Sequence, residues 1–232
     1  MLTTLTFDCW NTLYKSPEAV QIERALGFQH ILKKENLSFS LNEIREGFKY
    51  AWENAHYQQR AYGREITPRG HLAMILEKLD IIVTEELREQ LLKSYTQVLY
   101  TVPPEFNGRV VETLKAVSQD YKLALICNTG ATPGEVLRRI MEKDGINRFF
   151  DVLVFSDEVG MAKPSRDIFL YTLQRMGAEP ENAVHVGDDP LTDIIGAKKA
   201  GMKAVWLAPN QSWAVPEADY MIHSLEELPD VL

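Results

Sequence analysis

Leu2-Thr3-Thr4-Leu5-Thr6-Phe7-Asp8 is the stretch on which the fold turns. Its apolar and β-branched residues, 2–7, end on a carboxylate, the pattern of a buried strand that delivers Asp8 at its carboxyl end. Four more such runs follow, at residues 123–127, 152–156, 183–187 and 204–207, with helical patterns between most of them. Thr132 and Pro133 read as the N-cap and first position of a helix whose apolar face is Val136, Leu137, Ile140 and Met141. Ser165 stands similarly before Ile168, Phe169 and Leu173. This alternation predicts an α/β fold: a Rossmann-like parallel sheet with helices on both faces and an active site at the carboxyl ends of the strands.

Between the first and second strands the pattern changes. From about Ser16 to Thr101 no strand-like run occurs, and apolar residues recur at three- and four-residue spacing. Ser16-Pro17-Glu18 reads as a helix start, and Val102-Pro103-Pro104 as the return to the main sheet. The expectation is an all-α cap over residues 16–101 and a core of residues 1–15 and 102–232. Within the cap, Phe48, Trp52 and His56 share a helical face, which reads first as core packing between helices, with a substrate box as the alternative.

The chain has 232 residues, 45% of them hydrophobic, enough for one full core and a smaller second one. Its formal charge of -8 opposes attraction to nucleic acid or to an anionic membrane. The opening residues lack a secretory signal, and no run reaches the length of a membrane span. Two cysteines, Cys9 and Cys127, make no disulfide framework, so a cytoplasmic location is expected. They read as two reduced thiols, with a redox switch as the alternative. The oligomeric state stays open.

Four separated pieces carry the chemistry: Phe7-Asp8-Cys9-Trp10-Asn11-Thr12-Leu13, Leu125-Ile126-Cys127-Asn128-Thr129, Lys163-Pro164, and Val186-Gly187-Asp188-Asp189 with Asp193. In order and spacing they resemble the four motifs of the haloacid dehalogenase (HAD) superfamily, in the branch that carries a helical cap between the first two motifs. The resemblance implies a hydrolase acting on a small, phosphorylated molecule. It implies Asp8 as nucleophile, Thr12 as the residue that hydrogen-bonds and orients the nucleophile region, and Lys163 as the cation paired with Asp8. It also implies Mg²⁺ held by Asp8, Asp188 and the carbonyl of Trp10, with Asp193 supporting the metal or its water shell. Cys127, Asn128 and Thr129 fall where the family binds substrate oxygens, the last two through backbone N–H groups.

The sequence departs from that pattern twice. At Cys127 the family usually has a hydroxyl, and a thiol is a weaker donor. At Trp10 the phosphatases carry an Asp that protonates the leaving alkoxide and later deprotonates water; an indole does neither. Loss of acid–base assistance removes on the order of 10² to 10⁴ in rate. Three readings follow: a phosphatase restricted to acidic leaving groups such as aryl or acyl phosphates, a slow or non-catalytic phosphate-binding protein, and a metal-independent 2-haloacid dehalogenase, whose halide needs no proton. His56 and His71 are candidate substitutes for the missing proton donor. The dehalogenase reading also asks for a cap arginine to hold the substrate carboxylate and the halide, and Arg24, Arg60, Arg64 and Arg69 are available.

Overall fold

Thr4–Phe7 forms β1 with all four side chains buried, and Asp8 is the first residue beyond it. The computed structural model describes residues 1–16, 18–209 and 214–232. Pro17, part of the expected helix start, lies outside them. Strands β2 (Lys122–Cys127), β3 (Val152–Phe155), β4 (Ala183–Gly187), β5 (Lys203–Leu207) and β6 (Tyr220–Ile222) complete a parallel sheet in the order β3-β2-β1-β4-β5-β6. The sheet has one strand more than the five expected, because β6 is only three residues long. Central β1 pairs with β2 on one side and β4 on the other, with Phe7 level with both Leu125 and Val186. The strand order reverses at β1, and a crevice opens there beyond the carboxyl ends. Asp8, Asn128 and Asp188 are the first residues past three adjacent strands, which is why residues 120 and 180 apart in sequence meet.

Both faces of the sheet are covered. On one, Leu5, Phe7, Leu123 and Leu125 pack against α5 (Val110–Val117) and α6 (Gly134–Lys143). On the other, Ile126 and Val154 pack against Ile168, Phe169 and Leu173 of α8 (Arg166–Met176) and Ala197 of α9 (Gly196–Lys199). A single turn, α7 (Ser156–Val159), follows β3, so the expected strand end at Ser156 is instead a helix start. A last turn, α10 (Leu228–Val231), closes the chain. Helix α6 starts one residue later than expected. Pro133, in extended geometry, is its N-cap, and the Gly134 N–H is taken by the Asp157 carboxylate at 3.1 Å. Thr132 does not cap, because its hydroxyl accepts from Arg24.

Four helices lie between β1 and α5: α1 (Glu18–Lys34), α2 (Leu41–Tyr62), α3 (Pro68–Lys78) and α4 (Glu85–Thr96). Each start of α2 to α4 has a local cause. Ser40 and Glu43 form a reciprocal capping box at α2, while Thr67 and Thr84 cap α3 and α4. Apolar residues at helical spacing, Ile44, Phe48 and Ala51 among them, build a core with Phe28, Leu72, Ile75 and Leu91. Gly63 ends α2 in the left-handed conformation (φ 63°) that only a residue without Cβ adopts freely. Its carbonyl accepts from the Ala162 N–H at 2.9 Å, which ties the helices to the loop carrying Lys163. The two connections run side by side, with Tyr14 stacked on Phe106 at 5.2 Å.

Candidate active site

Lys163 is 1% exposed, and burial of an ammonium is tolerated only with counter-charges. It has two: Nζ donates to Asp8 Oδ1 at 2.5 Å and to Asp193 Oδ1 at 2.7 Å. Burial works to lower its pKa, but Asp193 and Asp8 outweigh that and hold it well above the ordinary lysine value. The loop that aims it is fixed by Asn128, whose amide donates to the Lys163 carbonyl and accepts from the Lys163 N–H, both at 2.9 Å. The Asn128 side chain therefore positions Lys163 across the β2–β4 end of the sheet.

Asp193 is the hub beneath the site. Besides Lys163 it accepts from the Asp189 N–H at 2.9 Å and lies 3.3 Å from His185 Nε2. Burial opposes its ionisation, and Lys163 with His185 overcomes this, leaving its pKa well below the usual carboxylate range. The π-helical turn Pro190–Ile195 brings it back under β4, with Asp189 capping the turn through Leu191 and Thr192 N–H groups. Gly187 has no alternative, since a Cβ there would collide with the Asp193 carboxylate. The fully buried His185, bonded through Nδ1 to Thr6 at 2.8 Å, was absent from the sequence reading. A histidine inside an otherwise apolar strand was its one signal.

Asp8, Asp188 and Asp193 each present a carboxylate oxygen, and these atoms lie within 4.8 Å of one another. Three carboxylates face one ammonium. Burial first, then the charges of Asp8 and Asp193, push Asp188 up to about 8. Burial likewise raises Asp8 to about 6, against the pull of Lys163. An all-oxygen, charge-deficient set of this kind fits a hard divalent cation, which would supply the missing positive charge.

These groups line a cleft of about 310 Å³ with Trp10, Asn128 and Thr129 on the sheet side and Arg24, Trp52, His56 and Gln59 on the helical side. The backbone turn at Trp10 is tight, with Asn11 at φ 58° and the Leu13 and Tyr14 N–H groups both returning to the Cys9 carbonyl. Asn tolerates that left-handed geometry better than most residues. Arg60 reaches across to Asp189 at 2.7 Å.

Some expected contacts are made differently. Thr12 is fully buried, and its hydroxyl has no hydrogen-bond partner among the described residues, so it does not make the orienting bond. The Thr129 N–H goes to Ser156 Oγ at 2.9 Å rather than facing the cleft. Cys127 is fully buried; burial first and the neighbouring Cys9 second push its pKa well up, and it is not among the residues lining the cleft. Both thiols are free. The aromatic stripe of α2 divides: Phe48 packs in the helical core, whereas Trp52 and His56, stacked at 4.5 Å, line the cleft. His71 is a core residue beside Tyr95, its pKa lowered to about 4 by burial. No described helix is long and apolar enough to cross a membrane.

Comparison with known proteins agrees with this geometry. Residues 2–201 match the family model described as haloacid dehalogenase-like hydrolase. The chain is 30% identical to a glyceraldehyde 3-phosphate phosphatase of Methanocaldococcus jannaschii, covering 100% of this chain and 97% of that one. It is also 30% identical to a pyrimidine 5'-nucleotidase of Escherichia coli, over 74% of this chain and 75% of the other. Among solved structures, a HAD phosphatase from Thermococcus onnurineus superposes with a TM-score of 0.69 at 27% identity, covering 99% and 97% of the two chains. A 2-haloacid dehalogenase from Pseudomonas syringae shares the fold with a TM-score of 0.75 at 24% identity, over 100% and 98%. With a parallel sheet reversing at β1, a carboxylate and a lysine meeting at that point, and a family match spanning most of its length, the chain belongs to the haloacid dehalogenase-like hydrolases.

Proposed function

We propose that the chain is a Mg²⁺-dependent phosphatase of a small phosphorylated metabolite whose leaving group departs without protonation. Residues 16–101 then act as a cap domain over a core of residues 1–15 and 102–232. The observation that supports this most is the meeting of Asp8, Lys163, Asp188 and Asp193 in one cleft.

In this reading an Asp8 oxygen bonds to phosphorus, and the phosphorus–oxygen bond to the leaving group breaks with its electron pair going to that oxygen. Lys163 holds Asp8 in place and offsets the charge that gathers on the transferring group. Asp8, Asp188 and the Trp10 carbonyl would hold Mg²⁺, which when bound would supply the screening that lets one anion attack another. Asp193 fixes Lys163 and the Asp189 turn. Trp10 gives the leaving oxygen no proton, so aryl oxides and carboxylates, stable as anions, leave readily and alkoxides do not. Water then attacks the aspartyl phosphate and releases Asp8. Its proton passes to His56, whose pKa is lowered by burial first and Arg60 second, so that the imidazole is unprotonated and free to accept it.

A screen of aryl, acyl and alkyl phosphates with and without Mg²⁺, beside Asp8→Asn, tests the reading. Aryl and acyl phosphates are expected to turn over only with Mg²⁺ and intact Asp8, with alkyl esters slower by about 10² to 10⁴. Equal turnover of alkyl and aryl esters would sink the leaving-group argument. Complete inactivity with retained phosphate affinity would leave a binding protein. Trp10, together with an arginine on the cleft, favours dehalogenation as a second reading; Mg²⁺-independent chloride release from 2-chloropropionate, lost in Asp8→Asn, would establish it instead.

A further inference from the structure

Arg24, on α1, is 3% exposed and yet lines the cleft that holds Asp8. A guanidinium carries five N–H donors. Here Nε donates to the Tyr95 carbonyl at 2.7 Å, Nη1 to Gln21 Oε1 at 2.9 Å and Nη2 to Thr132 Oγ1 at 3.2 Å. The Tyr95 ring lies 5.1 Å from the guanidinium carbon. Those contacts fix the plane of the group and leave one N–H on each terminal nitrogen. Every partner is neutral, and no ion pair is formed with any described carboxylate. Burial accordingly lowers the pKa of Arg24. A buried cation without a counter-charge is costly, and the cost is recovered when an anion occupies the cleft.

The other cap arginines do not offer this. Arg60 is paired with Asp189, Arg69 with Glu89 and Arg88 with Glu85, while Arg45 and Arg64 are exposed. The transferring phosphoryl group, at the strand ends, is served by Lys163, whereas Arg24 belongs to the helical side of the cleft. We propose that Arg24 is a specificity-determining residue that holds a second anionic group, a carboxylate, on the leaving part of the substrate. Two donors on two nitrogens of one plane match the two oxygens of a carboxylate. The substrate class is then a small phosphorylated carboxylic acid. This inference rests on the phosphatase reading of the same cleft.

The test compares substrates matched in leaving-group acidity and differing by one carboxylate: 3-carboxyphenyl phosphate against phenyl phosphate, and phosphoglycolate against 2-hydroxyethyl phosphate. The wild type is expected to favour the carboxylated member by about 10- to 100-fold in kcat/KM, the range of a charge-assisted hydrogen bond. Arg24→Gln should abolish that preference through KM and leave the rate on the uncharged member within about twofold. Arg24→Lys, which keeps the charge and loses the fork, should retain part of it.

Absence of any preference in the wild type would overturn the inference, as would an equal loss on both members in Arg24→Gln, the mark of a purely structural tie. If Arg24→Gln does not fold, an undiminished preference in Arg24→Lys overturns it. Calorimetric titration of the Asp8→Asn protein with phosphoglycolate and with 2-hydroxyethyl phosphate separates this inference from the phosphatase reading. Tighter binding of phosphoglycolate, weakened by a further Arg24→Lys change, sustains the Arg24 site even where no phosphate ester is hydrolysed. Equal binding of the two compounds refutes it.

Discussion

Glu65, in the link between α2 and α3, is a carboxyl buried beside Gln59, whose amide donates to it at 2.9 Å. Burial is the largest cause of its raised pKa, about 7 against an ordinary value near 4.5. The folded chain therefore binds this proton more tightly than the unfolded chain does. The stabilising contribution is complete below about pH 4.5 and is lost as pH rises through about 7. Glu65→Gln keeps the neutral shape and removes the titration. The variant is expected to match the wild type in thermal midpoint at pH 5 and to exceed it by a few degrees at pH 8. Identical pH profiles for the two proteins would refute the assignment.

At this scale the sequence was most legible where a residue's role follows from its position at a strand end. Asp8 and Asp188 could be placed this way, directly past β1 and β4, whereas Lys163 and Asp193, on a loop and a turn, were singled out only by the motif resemblance. It was least legible where a role depends on which side of a turn a group faces. Thr12 and Cys127 sit at the expected positions yet turn inward, Thr12 without a hydrogen-bond partner among the described residues and Cys127 toward Cys9. Arg24 was one of four equivalent arginines until tertiary packing separated it from the rest.

Helix α2 shows the same limit at the scale of an element. Its capping box, its left-handed terminal Gly63 and its apolar spacing are local, and they set its bounds. The helix passes out of one environment into another along its length, however, and periodicity carries no sign of that passage. Phe48 ends in the helical core, while one and two turns later Trp52 and His56 face the cleft. Strand β6 escaped notice for a related reason: three residues are too few to show a period.

Near its end α2 carries Arg60, which is bonded to Asp189 on the cleft. Both side chains keep substantial exposure, 40% and 30%, so the pair contributes little to stability, about 0 to 1 kcal/mol. Its effect should fall on closure. Arg60→Ala is expected to leave the thermal midpoint within about 2 °C and to raise KM about two- to fivefold, with kcat unchanged well above the His56 pKa, and high salt should reproduce the change in the wild type. A fall in kcat with unchanged KM would place Arg60 in the chemistry instead.

For the whole molecule, the fold class was readable because strand–helix alternation is a property of order along the chain, whereas the reversal of strand order at β1 emerges only in the folded sheet. The charge balance of the site is not, since it depends on how many carboxylates converge and how dry they are. Without a cation the folded state carries Asp8 raised to about 6 and Asp188 raised to about 8. Both contribute stability below about pH 4 that is lost as pH rises through those values, as buried carboxylates ionise beside one another. Asp193 acts in the opposite sense: its pKa is depressed by Lys163 and His185 against its burial, so its contribution is present above about pH 4 and is lost only in acid.

Magnesium binding at the proposed site would require the ionised carboxylates and relieve their repulsion. Its stabilisation should therefore grow with pH. At about 100-fold excess over its dissociation constant a ligand adds about 2.7 kcal/mol, which for a chain of this size raises the midpoint by roughly 5 to 10 °C. The rise is expected at pH 8, to shrink at pH 5.5 where Asp188 and much of Asp8 hold protons, and to vanish in Asp188→Asn. Asp188→Asn should also be more stable than the wild type in metal-free buffer at pH 8, because it removes a buried charge whose relief comes only from the cation. A magnesium effect that is the same at both pH values, or that persists in Asp188→Asn, would place the cation away from the Asp8–Asp188 cluster and remove the metal-dependent step from the proposed reaction.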